Sequence, residues 1–229
     1  MNFTWTHKVV IRPIHRMVVR PRVTINAAMS VDGKIALSDG TGVRLSNEED
    51  LRRVHRLRAA VDAIIVGVGT VLTDDPKLTV KSEYAKGRHP LRVVLDSEGK
   101  TPERARVLDG SAPTLVVTSD ECVRSFPGAE VLRCGKEEVD LPRLLELLAA
   151  RQVQTILVEG GSTVIWSFLR HGLADEMKVF VSSKVLGGRS APTLAGGRGA
   201  ATLDEAIGLR LDRAGPLGDG VLLEYAVVR

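Results

Sequence analysis

The sequence predicts an α/β protein in which a mixed, mostly parallel sheet is covered by helices on both faces. Three observations predict it. Short β-branched runs alternate with amphipathic stretches through the middle of the chain, the pattern of strands joined by crossover helices. Two of those runs, Ala63–Val66 and Thr155–Val158, are continuously apolar, as strands buried on both faces are. The end of the chain carries strand-like runs with no helix between them, which adds the mixed character. No internal repeat and no Pro/Gly/Ser linker divides the 229 residues, so one domain of about 22–229 is expected behind a leader of about 1–21.

The elements follow in order. Val23–Met29 reads as a first strand that runs into the turn Ser30-Val31-Asp32-Gly33. Ser46-Asn47-Glu48-Glu49 has the form of a capping box, Ser46 accepting from the amide of Glu49 and Glu49 reaching back. The helix it opens places Leu51, Val54, Leu57 and Ala60 on one face. Arg92–Leu95 and Leu115–Val117 are short strands bounded by Pro, Gly and Asp. Asp140 caps a Leu-rich helix of about 141–150, with Pro142 in its first turn where no amide partner is lost. Thr155–Val158 leads through Glu159-Gly160-Gly161 into a helix ending near Leu169. Met177–Val181 and Val221–Val228 are late strands, and the Gly-rich stretch from Gly187 to Gly199 between them reads as a long loop.

Composition narrows the function. With 44% hydrophobic and 26% charged residues the chain is an ordinary globular protein, and no apolar run approaches a membrane span. The net charge of +4 belongs to residues 1–22: Lys8, Arg12, Arg16, Arg20 and Arg22 stand there without an acid. Without those five, 27 basic residues face 28 acidic ones, a balance of −1. Aromatic residues are 3% of the chain, too few for a base-stacking platform, so nucleic acid is the weaker reading. Met17, just before the first strand, makes a later translation start the plainer account of the leader. Two cysteines, Cys122 and Cys134, in no metal-ligand spacing point to a reducing cytoplasm.

Three local features carry candidate chemistry. In Thr155-Ile-Leu-Val-Glu159-Gly160-Gly161-Ser162-Thr163 an apolar strand ends in an acid, two glycines and a helix start, a ready anion site for a pyrophosphate. A tight strand-to-helix connection would also use two glycines, and Glu159 tilts the balance toward a ligand. Val66-Gly67-Val68-Gly69-Thr70 is a second glycine turn after a buried strand; Thr70 serves there as a phosphate donor or merely as a helix cap. Leu72 stands where a dinucleotide fingerprint requires glycine, so this is no Rossmann turn. In Asn26-Ala-Ala-Met-Ser30-Val-Asp32-Gly33-Lys34 a polar Asn interrupts an apolar strand, while Asp-Gly alone is turn chemistry. Ser97, directly after a strand, is by itself a turn residue as often as a ligand contact.

The absences sharpen this. The five histidines form no i, i+4 metal pair, and no zinc-deaminase signature, P-loop or G-x-S-x-G elbow occurs. Two phosphate-friendly turns without a metal or nucleophile motif point to redox chemistry borrowed from a dinucleotide.

Taken together in one order, Asn26…Asp32-Gly33-Lys34, Arg58…Gly67-Val-Gly-Thr70…Asp74-Asp75-Pro76…Leu78-Thr79, Arg92…Asp96-Ser97, Glu159-Gly160-Gly161 and Lys184…Gly187-Gly188 resemble the riboflavin-biosynthesis reductases. The resemblance covers about residues 22–229. It implies a dihydrofolate-reductase-like fold with about eight strands, NADPH as cofactor, and a homodimer. Thr70 and Asp74 then match cofactor positions, Ser97 the residue near the 2′-phosphate, and Val139 an adenine contact. Gly160, Gly161, Ser162, Thr163 and Val164 match the turn that holds the pyrophosphate. Asn26, Arg58, Leu78, Lys81 and Glu159 match substrate contacts, with Lys81 and Arg58 supplying charge for a ribose phosphate. Glu159 and Asp32 are the carboxylates expected to manage the proton. Ser162 stands where many relatives carry glycine, and Lys81 where some carry arginine.

The implied reaction opens a ribosylamine of 2,5-diamino-6-ribosylamino-4(3H)-pyrimidinone 5′-phosphate to an imine, which hydride reduces to a ribitylamine. Reduction of the deaminated pyrimidine or of a pterin is the alternative within enzymes. A non-catalytic nucleotide or nucleic-acid binder using the basic arm is the alternative outside them.

Overall fold

The computed structural model describes residues 20–228. The basic leader expected over 1–21 lies outside that range except for Arg20 and Pro21. Arg20 grips both carboxylate oxygens of Asp175, at 2.6 and 3.1 Å, and the carbonyl of Leu173.

Nine strands form one sheet, one more than expected. They are β1 (Arg22–Ser30), β2 (Ala63–Gly67), β3 (Leu91–Leu95), β4 (Thr114–Thr118), β5 (Glu130–Arg133), β6 (Thr155–Val158), β7 (Glu176–Ser182), β8 (Leu209–Leu217) and β9 (Gly220–Val227). Their order is β5-β4-β3-β2-β6-β1-β7-β9-β8. Strands β1 to β7 all run parallel, and β9 pairs antiparallel with both β7 and β8. After β1 the chain moves past one position to β2, works outward to β5, then returns to fill the gap with β6. That reversal leaves a crevice beyond the carboxyl ends of β2, β6 and β1, the place where such sheets bind ligands.

Four helices close the two faces: α1 (Glu48–Ala60), α2 (Val68–Asp74), α3 (Leu141–Ala150) and α4 (Ser162–Arg170). On one side Leu141, Leu144, Leu145 and Leu148 of α3 and Ile165, Phe168 and Leu169 of α4 bury against Val23, Ile25, Ile65 and Val158. On the other, Val71 of α2 and Leu57 of α1 pack with Ile64, Val66, Val94 and Leu157. Every residue of β2 and β4 is buried, which is why β2 reads as an unbroken apolar run.

The helix starts differ instructively. Asp140 caps α3 as expected, accepting from the Arg143 amide at 3.0 Å. At α1 the cap is Asn47 rather than Ser46: Asn47 accepts from the Asp50 amide at 2.8 Å, while the Ser46 hydroxyl donates to the Asp50 carboxylate. Asp50, Val54 and His55 form the buried side of α1, and Ala60 is exposed. Thr70 is not a cap; it is the third residue of α2, whose N-cap is Gly67. Neither α2 nor α4, capped by Gly67 and Gly161, has a side chain bonded to its first-turn amides.

The glycine-rich stretch beyond Gly187 is a loop, and it wraps the turn after β1. Ile35 donates to the Pro192 carbonyl at 2.9 Å, Leu194 to that of Gly33 at 3.2 Å, and Gly196 to that of Ser162 at 3.1 Å. It thereby ties the β1 turn to the start of α4.

Candidate active site

A groove of about 820 Å³ opens at the carboxyl ends of β2, β3 and β6. Its floor is the two glycine turns, which touch. The Gly67 amide donates to the Gly160 carbonyl at 2.9 Å, and a Cβ on Gly161 would stand 3.3 Å from the Thr70 hydroxyl. Gly67 must lack a side chain, because a Cβ there would come within 2.7 Å of Val164. Gly160 sits at φ +113°, a conformation that L side chains rarely adopt.

Of the nine residues expected to hold a cofactor, Thr70, Asp74, Ser97, Val139, Gly161, Ser162, Thr163 and Val164 line this one groove. Gly160 lies just behind them. Ser97 and Val139, 42 positions apart, meet directly: the Val139 amide donates to the Ser97 hydroxyl at 3.2 Å. The turn that carries Ser97 is held by buried Asp96, which accepts from the amides of Lys100 and Thr101 and from the Thr101 hydroxyl. Pro192, Gly42 and Lys100 also line the groove, and the sequence reading did not single them out. A side chain at Gly42 would collide with Asp74.

The substrate candidates gather next to the groove in two groups. Arg58 of α1 forms a two-pronged ion pair with Glu159, Nε to Oε1 at 2.8 Å and Nη2 to Oε2 at 2.6 Å. Their side chains are 17% and 9% exposed. Asn26 follows Ile25, which pairs with Val158, so it stands beside Glu159 on the adjoining strand. Its Oδ1 accepts from Arg53 at 2.7 Å, and Arg53 is held in turn by Asp50. The second group is the loop after α2. Leu78 is buried with φ +53°, and Lys81 lies at the exposed rim, 3.8 Å from Glu83 and above the Tyr84 ring.

Asp32 stands at the end of β1 and accepts from the Ser30 hydroxyl (2.6 Å) and the amides of Leu186 (3.0 Å) and Gly187 (2.7 Å). The Ser30 bond, followed by the Leu186 amide, lowers its pKa to about 2. It is therefore an ionised carboxylate near neutral pH that also anchors the loop at 186–187. Among the described residues no group of three or more His, Cys, Asp and Glu side chains could hold a metal, and no helix is long and apolar enough to cross a membrane.

A parallel sheet with this switch point and a glycine-floored groove is the architecture of a dihydrofolate-reductase-like α/β protein. Dihydrofolate reductase from Enterococcus faecalis complexed with NADP(H) superposes with a TM-score of 0.53 over 91% of this chain and 97% of its own, at 12% identity, which shows the fold. The deaminase/reductase of Thermotoga maritima matches with a TM-score of 0.78 and 30% identity over 91% of this chain, which spans 57% of that longer protein. The profile of the RibD C-terminal domain matches residues 21–223, and the chain belongs to that family. It is 45% identical, over 91% of its length and 99% of the relative's, to the 2,5-diamino-6-ribosylamino-4(3H)-pyrimidinone 5′-phosphate reductase of Methanothermobacter thermautotrophicus. The reductase of that name from Aquifex aeolicus is 38% identical over 91% of this chain and 97% of its own.

Proposed function

We propose that this protein is an NADPH-dependent reductase that converts 2,5-diamino-6-ribosylamino-4(3H)-pyrimidinone 5′-phosphate to its ribitylamino form in riboflavin biosynthesis. The relatives carrying that name support the reaction. The observation that carries the cofactor is the contrast between helix starts. Helices α1 and α3 are capped by Asn47 and Asp140, whereas α4, whose start lines the groove, leaves its first-turn amides without a side-chain acceptor. Free amides at the positive end of a helix suit a pyrophosphate. Thr70 adds a hydroxyl from α2, and Ser97 with Lys100 offers a donor and a cation for the 2′-phosphate at the far end.

When bound, the nicotinamide supplies the hydride. The chain's own groups do the rest. Opening the furanose breaks the C1′–O4′ bond, O4′ takes one proton, and C1′ becomes an iminium carbon that accepts the hydride. Ionised Asp32 suits the role of a negative charge opposing that cation. Glu159, held by Arg58, presents a carboxylate that matches the paired N–H groups of an aminopyrimidine edge and is the remaining candidate to take a proton from solvent and pass it to O4′. Lys81 and Arg58 answer the 5′-phosphate, and Asn26 and Leu78 border the ring. Replacing Glu159 with Gln lowers the rate of NADPH oxidation by about 10²–10⁴-fold, the usual worth of such a group; unchanged turnover removes Glu159 from the mechanism. The diaminopyrimidine is favoured over the deaminated one because the latter offers a carbonyl where Glu159 needs a donor. Parallel assays with both substrates read that preference.

The uncovered end of the sheet supports a homodimer. Leu209, Leu211 and Val221 of β8 and β9 are 40–53% exposed on the side where α3 and α4 cover the other strands. Light scattering gives twice the chain mass for the wild type and the chain mass for Leu211→Glu. A wild-type monomer refutes it.

A further inference from the structure

The segment from Lys77 to Lys81 is held by side chains from elsewhere in the chain. Two guanidiniums take its carbonyls: Arg92 donates to Lys77 O at 3.2 Å, and Arg58 to Thr79 O at 3.2 Å. Two imidazoles take its amides: the Val80 N–H bonds to Nδ1 of His89, and the Lys81 N–H to Nδ1 of His55, both at 3.2 Å.

His55 does more than accept one bond. It is 4% exposed on the inner side of α1, and Tyr84 stacks on its ring at 5.0 Å between centroids and 25° between planes. Lys81 Nζ in turn lies 5.6 Å from the centre of that Tyr84 ring. One imidazole therefore touches both ends of the Lys81 residue, its amide directly and its ammonium through Tyr84, while that ammonium also lies 3.8 Å from Glu83. A backbone amide can only donate, so Nδ1 must carry no proton, and a protonated ring would break the contact. Burial, with the cations Arg58 and Lys81 close by, favours that neutral form, while Glu159 and Glu83 oppose it.

We infer that His55 is a positioning residue for substrate: by accepting the Lys81 amide and stacking on Tyr84 it sets the Lys81 ammonium where a ribose 5′-phosphate docks. This rests on the reading of Lys81 as a phosphate contact, so the test separates the two.

Steady-state kinetics on the full chain compares the phosphorylated substrate with its dephosphorylated ribosylamine. Leu keeps the bulk of His55 without an acceptor, whereas Asn places an oxygen near the position of Nδ1. His55→Leu raises KM for the phosphorylated substrate about tenfold, the scale of one lost hydrogen bond. It moves kcat and the KM values for NADPH and the dephosphorylated compound less than twofold, and His55→Asn restores most of the loss. Lys81→Ala raises the same KM. If Lys81→Ala raises it and His55→Leu does not, or if Asn is as impaired as Leu, the role of His55 is wrong. If Lys81→Ala changes nothing, the phosphate reading falls and the inference with it. Should His55→Leu fail to fold, amide exchange decides on the wild type and His55→Asn. The Lys81 amide is protected in both; exchange as fast as at Ser82 in the wild type overturns the proposal.

Discussion

The groove and the Lys77–Lys81 loop are built in opposite ways. The groove is made by the backbone: strand ends, two glycine turns bonded to each other, and a helix start left open. The loop is made by side chains, with Arg58, Arg92, His55 and His89 each holding one of its peptide groups. A dinucleotide offers phosphates that any chain can grip with amides, so the backbone suffices. On the proposed reading the sugar phosphate needs a cation at one place, and the side chains that hold the Lys77–Lys81 loop are far apart in sequence.

The largest effect that sharpens this contrast is expected at Arg92. Its guanidinium is fully buried and donates to Asp109, Thr114, the carbonyl of Ala112 and that of Lys77. Arg92→Met strands those acceptors and costs about 3–5 kcal/mol. Thermal unfolding then drops by about 10 °C. A loss below about 1 kcal/mol would mean that the loop does not depend on this anchor.

A smaller effect breaks the groove and spares the loop. Gly67→Ala puts a methyl 2.7 Å from Val164, and overpacking of this kind costs about 1–3 kcal/mol. NADPH binding weakens about tenfold, a matching shift of the floor, while the KM for the pyrimidine stays put. Equal losses for both ligands would show that the two regions are mechanically one.

The smallest effect is in pH dependence. The pKa of His55 falls from an ordinary 6.5 to about 4 through burial, with Arg58 and Lys81 adding to it. Between those values the unfolded chain binds the extra proton, so stability rises with pH from 4 to 6.5 and is complete above. The advantage of wild type over His55→Asn in denaturant melts therefore shrinks as pH drops through that window. A constant difference would mean that the imidazole is not held neutral by the fold.

The same contrast explains what was legible in the sequence. Thr155–Val158 has the bounds read from its apolar run, and Asp140 with Pro142 marked the start of α3 because caps are local chemistry. The Glu159-Gly160-Gly161 turn could be read because backbone sites are written in consecutive residues. Two strands could not. β5 is a half-buried four-residue edge strand, and β8 is largely exposed, so neither shows a buried face to the pattern. At α1 Ser46 and Asn47 are both capping residue types, and the cap that forms is Asn47, whose side-chain amide also donates to the Leu217 carbonyl 170 positions away. In the sequence His55 is one of five scattered histidines. Its partner amide lies 26 positions away, and no spacing rule joins them.

The seat proposed for the coenzyme between the two glycine turns is tested most directly by amide hydrogen exchange on the protein with and without saturating NADPH. Slowed exchange is expected at 67–70 and 161–164, with the Lys81 amide unchanged until pyrimidine is added. Saturable binding that protects neither turn, or no saturable binding at all, would contradict it.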